Sequence, residues 1–175
     1  MSGRQRTLLQ GSDVIKPLRQ GELDSLCGLY SAINAVRLTL YPRPLMPSDE
    51  AKLFAAGLRR LSGRWDLHYA VGTGISNAAM VDVARVIAKE ANARTGATIV
   101  TVRAAKSLTR EQRDAWLAEQ LAQGNPVLAE FKVRAHFSVC CGFTAKRVVI
   151  FDTSGRLSTA RTPTGRLIAF KNERV

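Results

Sequence analysis

Helix-spaced apolar residues fill the first part of this chain, and β-branched runs gather in the last part. That order constrains the fold more than any other feature. The first helix is expected to begin near Cys27, with Leu26, Leu29, Ile33, Val36 and Leu40 forming its core face, and Pro42 and Pro44 ending it. A second helix is expected from Ser48, as N-cap, to Gly63, burying Leu53, Leu58 and Leu61. A loop carrying Gly72 and Gly74 follows, then a third helix over about Ser76–Ala93 with Met80, Val83, Ala84 and Ile87 inward. Gly96–Ala104 reads as a strand. Thr109 and Gln112 form a capping box for a fourth helix that stops at Gly124. Strands are then expected within Asn125–Val133, His136–Thr144, Lys146–Gly155 and Gly165–Asn172. Helices first and strands late argue for an α+β fold with an antiparallel sheet.

The chain has 175 residues, 46% of them apolar, enough for one domain with a real core. The helical part is expected over about residues 20–95 and the sheet part over about 96–175. No apolar run of about 18 residues occurs, so no membrane span is expected. Met1–Gln20 is basic but lacks a continuous apolar segment, so it does not read as a secretory signal. A cytoplasmic location is expected, with export through a machine that reads other signals as the alternative. Three cysteines, two of them adjacent, make a poor disulfide framework, and two histidines without a paired-cysteine motif give no zinc site. The formal charge of +12 is spread along the chain without a basic run or interleaved aromatics. It reads as a solvated basic surface, or one that meets an acidic protein partner or inhibitor, and not as a specific nucleic-acid interface.

The chemistry concentrates at three places. Cys27 sits at the expected start of a helix, where the positive end of the dipole favours a thiolate. Cys27, Ser31 and Asn34 share a helix face that is expected to look into a cleft. His136 opens one late strand and Asp152 closes the next. A three-residue turn, Thr144–Lys146, would pair Phe143 with Arg147 and set Asp152 opposite Ser138. Asp152 would then be the diagonal neighbour of His136, about 7–8 Å away between Cα atoms. A one-residue slip would put the two on opposite faces. Gln20 could supply a side-chain amide to a developing oxyanion, a donor worth about 2.7–4 kcal/mol.

The competing base is His68, which Asp66 could orient from two positions away on a strand face. Gly72–Gly74 is not a phosphate loop, because the lysine of that motif is missing. Cys140 and Cys141 would alternate across a strand, one toward the His136 face and one into the core.

The segments QGELDSLCGLY, HFSVCCGF and VIFDTSG, in that order, resemble papain-like cysteine peptidases. They are most similar to the small bacterial peptidases that cleave bacteriocin leaders after a double glycine. The resemblance covers about Gln20–Gly155. It implies a papain-like fold, with the nucleophile helix packed on a C-terminal antiparallel sheet. It makes Cys27 the nucleophile, His136 the base, Asp152 its orienter and Gln20 the oxyanion donor. The implied activity is thiol peptidase, in a bacterial intracellular or exported effector-type protease with a protein or peptide substrate and no metal or organic cofactor. The same three groups also suit a deamidase, a transglutaminase-like enzyme or an acyltransferase. A basic binding module without activity is the non-enzymatic alternative.

Overall fold

The computed structural model describes residues 7–21, 24–104, 107–131 and 136–173. Its elements are β1 (Thr7–Leu8), α1 (Cys27–Leu40), α2 (Pro47–Arg64), α3 (Leu67–Thr73), α4 (Asn77–Thr95), β2 (Ile99–Arg103), α5 (Arg110–Ala122), β3 (Val127–Phe131), β4 (His136–Phe143), β5 (Val148–Asp152), β6 (Arg156–Ala160) and β7 (Leu167–Asn172). The strands form one sheet in the order β2-β7-β3-β4-β5-β6, with β1 paired to β4. Every pairing is antiparallel. The architecture is therefore α+β, as the order of patterns indicated. No helix among the described residues is long and apolar enough to cross a membrane.

α1 is the central helix. Leu29, Ala32, Ile33, Ala35 and Val36 are at most 1% exposed, and only Tyr30, Arg37 and Thr39 escape full burial. No side chain caps its N-terminus in the usual way. Burying a Leu, Ile or Val contributes about 1.5–3 kcal/mol each, more than a cap's typical ~1 kcal/mol, so packing decides where this helix lies. It packs against β4, α4 and α2.

Several local expectations are corrected. α2 begins at Pro47, with Met46 as N-cap, so Ser48 lies inside the helix. Proline suits the first turn because that N–H has no intrahelical partner to lose. Leu53 and Leu61 are fully buried, but Leu58 is only half-buried. The segment around His68 is the short helix α3, neither strand nor loop, and Asp66 caps it by accepting from the Tyr69 N–H at 3.0 Å. Ser76 caps α4, and the Thr109–Gln112 capping box opens α5 as expected. β1 and β6 carried too little apolar patterning to be expected. Lys132 and Val133, the end of the expected strand before His136, lie outside the described residues.

The turn between β4 and β5 also differs. Phe143 pairs with Val148, one residue later than expected. That register alone would have separated His136 from Asp152 onto opposite faces. A bulge at Cys141 absorbs the extra residue, so that Val139 pairs with Phe151 beyond it. Continued by one step, this register sets Ser138 opposite Asp152. The bulged carbonyl is not orphaned: the Leu9 N–H donates to the Cys141 oxygen at 2.7 Å.

Candidate active site

The two ends of the β4–β5 pair converge on the start of α1. His136 Nε2 lies 3.0 Å from Asp152 Oδ1. The Cys27 side chain is close enough to the same imidazole to help hold its proton. With Nε2 engaged by the carboxylate, Nδ1 is the ring nitrogen left for the thiol. The Phe137 N–H also points at Cys27 Sγ, at 3.4 Å. Cys27 is 7% exposed. The His136 and Asp152 side chains are 26% and 13% exposed. A cleft of about 400 Å³ opens beside them, lined by Gln20, His136, Asp152, Thr153 and Ser154.

The charges in this chain support one another. The hydrogen bond to Asp152, then the one to Cys27, outweigh burial and push His136 up to about 9. Burial alone would raise Asp152, but the His136 hydrogen bond and charge, with the Ser154 and Thr153 backbone N–H groups, hold it below the ordinary carboxylate value. Below pH 9 the imidazole is therefore an imidazolium between two groups able to carry negative charge.

Folding stability inherits these shifts. His136 holds its proton more tightly folded than unfolded, so its contribution is complete below 6.5 and is lost as pH rises through about 9. Asp152 contributes above its ordinary 3.8, and that contribution is lost as pH falls through its lower folded value. Urea midpoints measured across pH are expected to be highest between about 4 and 6.5, and to fall on the alkaline side through 9.

Polar side chains along α1 hold the parts in place. Ser31 Oγ donates to the Phe137 carbonyl at 2.9 Å. Phe137 thus sends its N–H to Cys27 and receives Ser31, one helical turn apart on α1. Asn34 accepts from the Leu18 N–H at 2.8 Å and donates back to the Leu18 carbonyl at 3.3 Å. Ser31 and Asn34 are fully buried, which corrects the expectation that their face looks into a cleft. Only its first residue, Cys27, reaches His136. Gly28 lets α1 come this close: a Cβ there would sit 2.5 Å from Met80 Sδ and 3.3 Å from the Phe137 ring.

Gln20 reaches the cleft because the strap before α1 is pinned twice. Asn34 holds Leu18, and the Gln20 N–H donates to the Thr153 carbonyl at 2.9 Å. Its side-chain amide donates one N–H to the Asp24 carbonyl. An amide NH₂ has a second N–H, which is the one available to an oxyanion. Asp24 in turn accepts from the Leu26 N–H at 2.9 Å and shapes the entry to α1.

The remaining candidates lie elsewhere. His68 is exposed on α3 and hydrogen-bonds no described residue, while Asp66 is spent on the cap. Cys140 and Cys141 are both fully buried, and neither lines the cleft. Burial and the neighbouring Cys141 push Cys140 well up. Among the described residues no cluster could hold a metal ion. Sequence reasoning placed Ser31 on the Cys27 face but missed that it holds the Phe137 backbone. The signal was present in the four-residue spacing of Cys27 and Ser31.

Replacing Ser31 by alanine is expected to free the Phe137 peptide and slow alkylation of Cys27 by iodoacetamide several-fold, with threonine restoring most of the rate. Loss of one buried hydrogen bond is worth about 1–3 kcal/mol, so the effect is distinct from unfolding.

Compared with known proteins, the chain matches no family model, and no curated protein matches it either.

Proposed function

We propose that the protein is a papain-like cysteine peptidase that hydrolyses peptide bonds with Cys27, His136 and Asp152. The observation that carries this reading is the continuous line from Cys27 through the imidazole to the carboxylate, with 3.0 Å between His136 and Asp152. Cys27 Sγ attacks the carbonyl carbon and forms a C–S bond. The carbonyl oxygen becomes an oxyanion, met by the Gln20 amide and the Cys27 backbone N–H at the helix start. The C–N bond then breaks, and His136 gives its proton to the departing amine. Water, deprotonated by His136, cleaves the thioester and restores the thiol. Asp152 holds the ring and stabilises its positive charge throughout.

Incubating peptides with the protein and with Cys27→Ala, followed by mass spectrometry, tests the reading. Wild-type fragments that Cys27→Ala does not produce support a peptidase. Intact peptides gaining about one mass unit would assign a deamidase to the same three residues instead.

A further inference from the structure

Two arginines that the chemistry above does not use lie at the loop after β5, beside the cleft. β5 and β6 are joined by the three-residue loop Thr153–Gly155, where the Gly155 N–H donates to the Asp152 carbonyl at 3.0 Å and Gly155 takes a φ of 85°. This is the hairpin that needs glycine in the left-handed region. Arg156 pairs with Asp152 across it. Directly opposed residues project from the same face, so Arg156 extends on the side where Asp152 meets His136. Arg19 comes to the same loop from the strap. A Cβ on Gly155 would lie 2.5 Å from Arg19 Cγ, 2.7 Å from Cδ and 3.4 Å from Nε. The arginine stem thus lies across the loop, fixed by the neighbouring Gln20 bond to Thr153.

Both side chains are exposed, and neither makes a hydrogen bond or ion pair with a described residue. Other arginines are committed: Arg37 to Glu50, Arg60 and Arg64 to Asp82, and Arg94 to Glu90. Asp152, the carboxylate opposite Arg156, is occupied by His136.

We propose that Arg19 and Arg156 form a subsite for acidic side chains on the leaving-group half of the substrate, so that this protein acts on acidic peptide segments. The inference rests on the peptidase reading for its direction. His136 must reach the departing nitrogen, so the leaving half lies over the imidazole and continues toward Asp152, Ser154 and the two arginines. A guanidinium pairs with a carboxylate through two parallel hydrogen bonds, and the +12 surface draws an acidic chain toward the cleft.

The test uses Cys27→Ala protein and a fluorescein-labelled peptide of alternating glutamate and alanine, read by fluorescence anisotropy at two salt concentrations. Arg19→Gln with Arg156→Gln is expected to raise Kd at least about tenfold. Arg59→Gln with Arg85→Gln, exposed on α2 and α4, removes the same charge and is expected to change Kd less than about twofold. Equal losses in both pairs, no saturable binding, or displacement by an equally charged single-stranded oligonucleotide with the same dependence on Arg19 and Arg156 would overturn the proposal. Alkylation of Cys27 in the wild-type protein reports separately on the peptidase reading. A slow thiol counts against that reading, and the binding result still decides the acidic subsite.

Discussion

His136→Ala is expected to lower kcat by on the order of 10⁶-fold, about as much as Cys27→Ala, and the double variant to be no worse than either single one. The reason is cooperative. His136 lies between Cys27 and Asp152, so in the proposed peptidase its removal takes the base away from Cys27 and cuts Cys27 off from the carboxylate at once. The fold should survive, because the His136 side chain is 26% exposed at the mouth and lies outside the hydrophobic core cluster. Single-turnover kinetics of the three variants check this. A His136→Ala protein that keeps a tenth of wild-type kcat would place the base elsewhere.

Asp152→Asn keeps the shape of the side chain and removes its charge. It is expected to cost about 10⁴-fold in kcat, as when the carboxylate of a related triad is made an amide. Its second effect is on pH. Asp152 is the largest cause of the raised His136 value of about 9. Without that carboxylate the imidazolium loses its proton at lower pH, so the alkaline limb of kcat/KM, which needs that proton for the departing amine, should move from near 9 toward the ordinary 6.5. A loss of rate with the alkaline limb unmoved would mean that Asp152 acts only through structure.

α1 was legible because its signals are local: Cys27 at its start, an apolar stripe from Leu26 to Leu40 and prolines beyond its end. The same holds for the capping box at Thr109. The hairpin that joins base to carboxylate was legible only by accident of compensation. Nothing in HFSVCCGFTAKRVVIFD marks a bulge at Cys141, and without it the one-residue error at the turn would have separated His136 from Asp152. Bulges depend on long-range partners, here the Leu9 N–H that meets the Cys141 carbonyl. α3 was missed because its seven residues are too few for a helical period to show against two glycines. Ser31 and Asn34 were seen as sharing a face with Cys27, but a helical period cannot say what that face meets. It meets the backbone of Phe137 and Leu18, and so positions the site from below.

The coupling of Cys27 to His136 is the centre of the account, and the rate of Cys27 alkylation by iodoacetamide as a function of pH tests it most directly. Cys27 is expected to react faster than the fully buried Cys140 and Cys141, with a rate that changes near pH 9 as His136 loses its proton. A Cys27 that reacts no faster than Cys140 and Cys141, with a pH profile that His136→Ala leaves unchanged, would contradict it.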